Sequence, residues 1–584
     1  MICIKDPSLP YSDQKRCYPG SHRFRMRYTE RQIKTRVPAL MNIKKIFIAL
    51  LALFAVNACV TSSEPAITDK RPNILLIIAD DLGYADLGSF GSDIATPNID
   101  TLAAGGLLFT QFHTAVMCAP TRAMLFSGNN NHVAGMGKQS VSGILDNPFP
   151  GYENHLSDRI IPFPRLLQEA GYHTYIAGKW HLGKTPEHSP RAAGFSHSFT
   201  NLSGAGNHWD AMGFHEGGSV YRADGEFSEW PDGRYSTDLF TERLIGFIDS
   251  NQGDGKPFFA LATYTSPHWP LQVPEAELDR YAGRYDAGYD KLREENFESL
   301  KTAGIIPQSS TLPPRNEAIT PWVDLDAEQQ RRESRKMELY AAMVTNLDGH
   351  VGSLVKYLKT KGLYDNTLII FMSDNGAAAE DFYNDPKYKD YMEYTRQHYD
   401  NAYENMGMPD SFVSYGAQWA EAGSAPFQRH KGYTREGGIT APMVITGPGV
   451  VSQGIKTSSY LTVMDLAPTF LELAGIDYPA GGSIQPMRGE SINAFLSGDT
   501  DMVHDENYVT VHSHGGRMLI RKGKWKLTTL EAPFEESKLE LFNMETDPGE
   551  MNNLVKAKPE KYQEMLELWR EERRNRGIVL PQDL

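Results

Sequence analysis

The amino-acid sequence predicts an α/β fold: a large, mostly parallel sheet flanked by helices on both faces, with a smaller C-terminal α+β domain built on an antiparallel sheet. Short, continuously apolar runs alternate with segments of helical periodicity through most of the 584 residues. That alternation is typical of parallel strands buried on both faces. After about residue 481 the pattern changes to short strand-like runs and one charged helix. The chain is long enough for one large and one smaller domain.

The predicted elements follow in order along the chain. Apolar runs predict four strands of the large sheet, at 73–78, 174–177, 258–264 and 367–372. Helical periodicity predicts helices at 162–170, 336–359, 465–475 and 559–574. Strands of the C-terminal antiparallel sheet are predicted at 517–527 and 538–542. Two long stretches, 274–322 and 380–426, lack a clean period. The second is rich in tyrosine and predicts either a lid with rings that stack on a substrate or a helical insertion packed on the domain.

The first 58 residues differ in composition from the rest of the chain. Residues 41–58 join a basic start to eleven apolar residues, too few for the ~20 of a membrane span, and predict a signal peptide. Cys59 is a candidate for lipidation, and simple cleavage after Ala58 is the alternative. We interpret residues 1–40 as a spurious or disordered extension ahead of a start at Met41, with a long leader as the alternative. Residues 59–70 are then a linker, 71–480 the main domain and 481–584 a C-terminal subdomain. This organisation predicts export to the periplasm, or an outer-membrane lipoprotein of a bacterium.

Charge and cysteine content exclude some classes of partner. The formal net charge is −15, and residues 1–58 contribute +8, so the remainder carries −23. Such a chain repels nucleic acid, and no basic stripe argues otherwise. Two of the four cysteines fall in residues 1–40, which leaves Cys59 and Cys118. Since each of these has another predicted fate, we expect no disulfide.

Polar, ionisable clusters follow all four predicted strands of the large sheet. Asp80 and Asp81 follow the first strand, and Asp374 and Asn375 follow the fourth. Because ligands bind beyond the carboxyl ends of parallel strands, we expect one site along one edge of the sheet. Three carboxylates and an amide oxygen form a hard oxygen site, which suits Ca²⁺ or Mg²⁺ better than Zn²⁺.

The run Cys118-Ala119-Pro120-Thr121-Arg122 is the most informative motif. Pro120 suits the first turn of a helix extending to about Ser127, which puts residue 118 at the positive helix end. Further motifs follow in the chain: Gly178-Lys179-Trp180-His181-Leu182-Gly183, Pro267-His268-Trp269-Pro270, Ser373-Asp374-Asn375-Gly376, Lys431 ahead of Glu436-Gly437-Gly438-Ile439, and Leu541-Phe542-Asn543 with Asp547-Pro548. From about residue 71 to 554 the sequence resembles the type I sulfatases of the alkaline phosphatase superfamily, and most of all their bacterial arylsulfatase branch. Residues 71–480 would then be the sulfatase catalytic domain.

The resemblance implies a calcium-dependent sulfatase that hydrolyses aryl sulfates or sulfated carbohydrates. Cys118 would be oxidised by a formylglycine-generating maturation enzyme to an aldehyde whose hydrate is the nucleophile. The implied ligands of one Ca²⁺ are Asp80, Asp81, Asp374, Asn375 and the modified Cys118. One hydroxyl of the hydrate would take the sulfuryl group, and the other would lose its proton and expel sulfate, which divides the reaction into two easier steps.

Five further residues receive roles from the resemblance. Arg122 would stabilise the hydrate, and His181 would accept a proton from it. Lys179 and Lys431 would bind sulfate oxygens, and His268 with Lys431 would face the leaving oxygen. Ca²⁺ and the two lysines would neutralise the oxygens of the sulfuryl group, which otherwise repel a nucleophile. His208, which follows a glycine-rich loop, and the helical residues Asp348 and Asp465 stay without a predicted role.

Two alternatives stay open at this stage. One is a phosphonate or phosphate diester hydrolase of the same superfamily, in which the position of Asn375 tends to hold His and the metal is a softer one such as Mn²⁺. The other is a non-catalytic envelope protein that binds sulfated glycan without turnover and keeps an unmodified thiol at Cys118. The sequence names neither the sulfated compound, nor its ester position, nor the oligomeric state.

Overall fold

The structure is a computed structural model that describes residues 71–139, 149–382 and 385–580. The predicted extension, signal peptide, Cys59 and linker all precede residue 71 and lie outside the described residues, as does Tyr383 of the tyrosine-rich stretch. Within the described ranges, no helix combines the length and the apolar character that a bilayer crossing requires.

The main sheet has eleven strands: β1 Asn73–Ala79, β2 Leu107–His113, β3 His173–Lys179, β4 His197–Asn201, β5 Tyr221–Ala223, β6 Glu226–Phe227, β7 Phe258–Thr263, β8 Thr367–Ser373, β9 Thr440–Thr446, β10 Ile455–Thr457 and β11 Leu461–Thr462. Its order is β10-β2-β9-β8-β1-β7-β3-β4-β5-β6, and β11 also pairs with β2. The central strands β8, β1, β7, β3 and β4 run parallel, whereas β9, β5 and β6 pair antiparallel to their neighbours.

Both faces of this sheet are covered. Along β1, Leu75 and Ile77 pack into one hydrophobic core while Ile74 and Leu76 pack into another. Because successive side chains point to opposite faces, a strand between two cores must be apolar at every position. The helices are α1 Pro97–Ala104, α2 Cys118–Ser127, α3 Phe163–Glu169, α4 Ser236–Ser250, α5 Gly288–Thr302, α6 Ala327–Thr360, α7 Lys389–His398, α8 Gly416–Gly423, α9 Glu436–Ile439, α10 Leu466–Leu473, α11 Asn493–Leu496 and α12 Pro559–Arg576.

A second, four-stranded antiparallel sheet lies near the C-terminus. Its strands are β12 Val509–His514, β13 Arg517–Lys522, β14 Trp525–Thr528 and β15 Glu540–Asn543. Helix α12 packs on this sheet through Met565, Leu566 and Trp569, which share a core with the strands. The predicted fold class is therefore confirmed, while the domain boundary at residue 481 stays a prediction.

Two predicted element boundaries were wrong. The predicted strand 517–527 is two strands, because Gly523 adopts a φ of +52° and turns the chain between them. The predicted helix 336–359 begins at Ala327, nine residues earlier, where Asp326 and Gln329 form a reciprocal capping box. The first turns of this helix are largely polar, so they lack the apolar period from which its start was predicted.

Candidate active site

Four parallel strands bring their carboxyl ends to one edge of the main sheet. Ala79 at the end of β1 lies in register with Ser373 at the end of β8, so Asp80-Asp81 and Asp374-Asn375 emerge side by side. The ends of β3 and β7 lie next to them and lead to His181 and His268. The predicted convergence of polar residues at this edge is therefore present.

Three buried ion pairs hold the predicted residues together. Lys179 Nζ donates to both oxygens of Asp80 at 2.8 and 2.7 Å, and Lys431 Nζ donates to Asp81 Oδ2 at 2.7 Å. Arg122 pairs with Asp374. All six side chains are at most 5% exposed. Burial removes water from each charge, and the opposite charge of its partner offsets that loss of solvation.

Arg122 reaches across the site from α2. Its Nε and Nη2 donate to Asp374 Oδ2 at 3.2 and 2.9 Å, while Nη1 donates to the Lys179 carbonyl at 2.9 Å and to the Thr263 hydroxyl. A planar guanidinium with five donors suits this arrangement, and a lysine could not reproduce it. Arg122 therefore ties together the ends of β8, β3 and β7.

Cys118 is the first residue of α2 and is completely buried. Its Sγ lies 3.7 Å from Asp81 Oδ1. Burial raises the pKa of the thiol well above its usual value, although Lys179 and Lys431 act in the opposite direction. The thiol therefore stays protonated and is a poor nucleophile. Cys118 is free, and Cys59 lies outside the described residues, so the expected lack of a disulfide stays a prediction.

His181 is held in an unusual backbone conformation. Its φ is +60°, and Asp81 at the same edge has a φ of +66°; such left-handed non-glycine residues are uncommon and concentrate at functional sites. A Cβ added to Gly204 would lie 2.4 Å from the His181 ring, so the glycine-rich loop leaves room for the imidazole. Burial, with Lys179 and Arg122 next, lowers the pKa of His181, so the ring is neutral. Its Nδ1 has no partner among the described residues.

His268 turns one ring nitrogen toward the carboxylates. Its Nδ1 donates to the Trp269 carbonyl at 2.7 Å, and its Nε2 lies 3.3 Å from Asp81 Oδ2. Burial lowers the pKa of His268 although Asp81 raises it. With Nδ1 protonated, a neutral His268 presents a lone pair on Nε2 to the carboxylate. Two facing acceptors are stable only when a proton or a cation lies between them.

The residues fit a metal ion. Oxygen, sulfur and nitrogen atoms of Asp80, Asp81, Cys118 and His268 all lie within 4.8 Å of one another, so the cluster adds His268 to three of the predicted ligands. The remaining two predicted ligands, Asp374 and Asn375, lie at the same edge. Asn375 Nδ2 donates to Asp81 Oδ1 at 2.5 Å, and its buried Oδ1 has no partner among the described residues.

The charges of the cluster also favour a cation. Burial raises the pKa of Asp80 to about 7, with Asp374 and Asp81 adding to the rise and Lys179 opposing it. Asp81 is also buried, but Lys431, His268 and Lys179 outweigh that effect and lower its pKa. When all three carboxylates are ionised, they balance the charges of the two lysines and Arg122, so a bound divalent cation would make the site positive and suited to an anion.

A cavity of about 510 Å³ opens onto this edge, and His181, His268 and Lys431 line it. One wall is aromatic and consists of Phe214, Trp269, Phe382, Tyr388 and Tyr391. The described lining residues include four lysines, four histidines and a single acidic residue, in a chain that carries more acidic than basic side chains. Because His181 and His268 are neutral, the positive field of the cavity comes from its lysines, and it is combined with an apolar surface.

The tyrosine-rich stretch divides between its two predicted roles. Tyr388 and Tyr391 line the cavity, as the lid hypothesis expects. Tyr415 and Trp419 are buried in the core, as the packed insertion expects. Helices α7 and α8 lie within the stretch, so one segment both packs on the domain and forms a wall of the cavity.

Several residues of the site were not found from the sequence. Glu380 lines the cavity, and so do residues 513–516 at the β12–β13 turn. A glutamate in a loop without periodicity carries no local signal, and the turn lies almost 400 residues from Cys118 in the chain. Gly204 had a signal, because it belongs to the glycine-rich loop that precedes His208.

The three residues that had no predicted role have structural ones. His208 is buried, and its Nε2 donates to the His268 carbonyl at 3.1 Å while its Nδ1 accepts from Ser236. Asp348 accepts from the Asn98 and Ile99 amides at the start of α1. Asp465 accepts from the Thr462 and Glu490 amides and pairs with His504. His208 thus supports the backbone of a site residue from behind.

Comparison with known proteins identifies the family. The family described as Sulfatase matches residues 72–476, and the one described as N-sulphoglucosamine sulphohydrolase, C-terminal, matches residues 428–575. An uncharacterized sulfatase of Schizosaccharomyces pombe is 38% identical over 533 residues, which are 88% of this chain and 95% of that protein. An arylsulfatase of Klebsiella aerogenes is 38% identical over 456 residues, which are 75% of this chain and 95% of that protein.

A solved structure agrees with these matches. Ps i-CgsB in complex with k-i-k-neocarrahexaose superposes with a TM-score of 0.61 at 25% identity, covering 86% of this chain and 92% of that chain. The resemblance predicted from the motifs is confirmed at the level of the family. The chain belongs to the sulfatase family and is a sulfuric ester hydrolase.

Proposed function

We propose that the protein is a calcium-dependent sulfatase that uses a formylglycine made from Cys118 as its nucleophile. The observation that carries the proposal is the arrangement around position 118. Three carboxylates and an amide lie beside Cys118 at one sheet edge, and two buried lysines and an arginine pair with the carboxylates. This edge opens into a positive, aromatic-walled cavity.

The oxygen donors suit Ca²⁺ or Mg²⁺ better than Zn²⁺, and we propose Ca²⁺ because the resemblance to the type I sulfatases implies it. Asp80, Asp81, Asp374 and Asn375 would hold the ion together with residue 118, because carboxylate and amide oxygens are the ligands that Ca²⁺ prefers. When bound, the ion would supply a Lewis acid that neutralises the oxygens of a sulfuryl group. Lys179 and Lys431 are placed to bind the same oxygens and to stabilise charge in the transition state.

The buried Cys118 thiol itself is ill suited to the reaction. Its raised pKa leaves little thiolate, and a thiol that took the sulfuryl group would leave a stable thiosulfate ester. Conversion to formylglycine would supply a hydrated aldehyde, which can take the sulfuryl group and later expel sulfate. Because residue 118 is completely buried in the folded chain, a maturation enzyme would have to reach it before folding is complete.

The remaining residues handle protons and charge. The neutral His181 accepts a proton from the nucleophile through its unpartnered ring nitrogen. Arg122, fixed by Asp374 and the Lys179 carbonyl, keeps positive charge beside residue 118. His268 and Lys431 both line the cavity and face the leaving oxygen, whose developing negative charge Lys431 stabilises.

Aryl sulfates and sulfated carbohydrates are the proposed substrate classes. The aromatic wall suits an aryl or sugar ring, one relative is an arylsulfatase, and a similar structure was solved with k-i-k-neocarrahexaose bound. We also propose export, to the periplasm or as an outer-membrane lipoprotein attached through Cys59, on the strength of residues 41–59 alone.

The decisive comparison is between matched aryl esters. We expect the mature enzyme to hydrolyse 4-nitrophenyl sulfate faster than bis(4-nitrophenyl) phosphate, because Asn375 and the hard oxygen ligands favour calcium and sulfate. Cys118→Ala should abolish turnover of the sulfate ester while the protein remains folded. Faster turnover of the diester by the wild-type enzyme would instead support the phosphodiesterase alternative.

A further inference from the structure

The loop that follows β1 carries two of the proposed metal ligands, Asp80 and Asp81, in a strained conformation. The φ of Asp81 is +66°, and a non-glycine residue keeps such a value only where the surrounding structure holds it. The Asp80 amide donates to the Ser266 carbonyl at 3.1 Å, and the Asp81 amide donates to Asp374 Oδ1 at 3.2 Å. Both hydrogen bonds lie at or before Asp81 in the chain, so the loop requires a further contact beyond it.

Tyr340 of α6 supplies that contact. The Gly83 amide, two residues beyond Asp81, donates to Tyr340 Oη at 3.2 Å, and the Tyr340 hydroxyl donates to Asp86 Oδ2 at 2.6 Å. Tyr340 and Asp86 are each 1% exposed, and the ring of Tyr415 stacks on that of Tyr340 with centroids 4.6 Å apart. One hydroxyl therefore joins two points of the loop and fixes both of them to α6.

Two glycines leave the space that the Asp86 carboxylate occupies. A Cβ added to Gly83 would lie 2.3 Å from Asp86 Oδ2, and one added to Gly423 would lie 2.8 Å from the same atom. The Ala85 amide also donates to the Gly423 carbonyl at 2.8 Å. Because protein interiors are closely packed, contacts this short leave the loop little freedom to move.

Stability alone does not account for the Asp86 carboxylate. Among the described residues, no basic side chain pairs with it, and its Oδ1 accepts no hydrogen bond. Burial raises the pKa of Asp86 to about 6, although the Tyr340 hydroxyl and the Gly83 amide act in the opposite direction. A buried carboxylate without a cation costs free energy in the folded state. Its presence behind the Asp81 loop therefore indicates a role other than stability.

We propose that Tyr340 and Asp86 are positioning residues that hold the loop of Asp80 and Asp81 in the conformation that binds the metal ion. Neither is among the described residues that line the cavity, so both act through the backbone of Gly83 and not by contact with the substrate. This inference rests on the proposed calcium site and assigns a further determinant of its affinity. Groups that orient metal ligands from behind commonly have a large effect on metal binding.

The test is a calorimetric titration of the chelator-treated enzyme with Ca²⁺, which measures binding without substrate. Tyr340→Phe keeps the ring and removes the hydroxyl. We expect its calcium dissociation constant to rise about 10- to 100-fold, the usual loss when a group that orients a metal ligand is removed. Asp86→Asn keeps an acceptor for the Tyr340 hydroxyl and should bind calcium nearly as tightly as wild type.

Tyr175→Phe is the matched control. Tyr175 is also 1% exposed, and its hydroxyl accepts from Asn251 Nδ2 at 2.8 Å near the end of β3 opposite Lys179. This variant loses one buried hydroxyl far from the metal ligands, so its calcium dissociation constant should equal that of wild type.

Thermal unfolding with and without Ca²⁺ separates positioning from a purely structural role. A structural role would lower the Tm of metal-free Tyr340→Phe but leave the rise in Tm on adding Ca²⁺ unchanged, whereas we expect that rise to shrink. An unchanged calcium dissociation constant in Tyr340→Phe would overturn the proposal. So would an Asp86→Asn enzyme that binds calcium as weakly as Tyr340→Phe, because Asp86 would then act through its charge. A wild-type enzyme that binds no Ca²⁺ would instead contradict the proposed calcium site itself.

Discussion

Replacement of Lys431 by methionine tests the electrostatic account of the site. The ammonium group lies 2.7 Å from Asp81 Oδ2, and the residue is 5% exposed. Methionine has a similar length and no charge, so the change removes the cation with little loss of packing. Removing one preorganised donor from a site of this kind raises the barrier by ~2.7–4 kcal/mol, or about 10²- to 10³-fold in kcat. We expect a loss in that range on 4-nitrophenyl sulfate.

The same change also affects stability, and the two effects must be separated. Breaking a buried ion pair costs ~3–5 kcal/mol when the remaining charge has no other partner. Asp81 keeps the Asn375 amide at 2.5 Å, so we expect the lower end of that range. Urea unfolding of wild type and variant measures the loss of unfolding free energy. The values of kcat/KM are then compared at a temperature at which both proteins are folded. Lys538→Met, at a lysine 64% exposed, is the control. A folded Lys431→Met enzyme that retains more than about a tenth of wild-type kcat/KM would refute the reasoning.

Three other perturbations have definite expected outcomes. Lys526 is completely buried between Glu436 and Glu550 at 2.6 and 2.9 Å; Lys526→Met should lower the urea unfolding free energy by ~3–5 kcal/mol, and adding Glu550→Gln should recover part of the loss. Burial lowers the pKa of His504, but Asp465 and then Glu490 outweigh it and raise that pKa. The stabilisation from His504 is therefore complete below about pH 6.5 and is lost as the pH rises through the raised value, so the Tm difference between wild type and His504→Gln should shrink on that rise. Treatment with a calcium chelator should lower both the Tm and the sulfatase activity, and Ca²⁺ should restore both better than Mn²⁺ does.

Local sequence was sufficient to predict the parts of the fold that depend on local pattern. Strand β1 lies between two cores and is apolar throughout, so its run of aliphatic residues could be identified directly. The end of each such strand also predicted where Asp80 and Asp374 would lie, because parallel strands bring their carboxyl ends to one edge. The start of α6 could not be predicted in the same way, since its first turns are polar and depend on the Asp326 cap.

Parts of the site that depend on contacts distant in the sequence could not be predicted. Glu380 gains its position from the packing of a loop without periodicity, and its charge alone predicts a solvated surface. The β12–β13 turn reaches the cavity only because the second sheet packs near residues 431–440. Lys526 of β14, which pairs with Glu436, belongs to the same contact. Such contacts are properties of the tertiary structure, and no local pattern encodes them.

The mass of the peptide that contains residue 118 is the most direct test of the mechanism. The protein should be produced in a host that contains a formylglycine-generating enzyme, and its sulfatase activity measured. Part of the same sample is then digested, and the modified fraction at residue 118 is compared with that activity. We expect the aldehyde or its hydrate at position 118, with activity in proportion to the modified fraction. A sample that hydrolyses aryl sulfates at full rate while residue 118 remains an unmodified cysteine would contradict the proposed nucleophile.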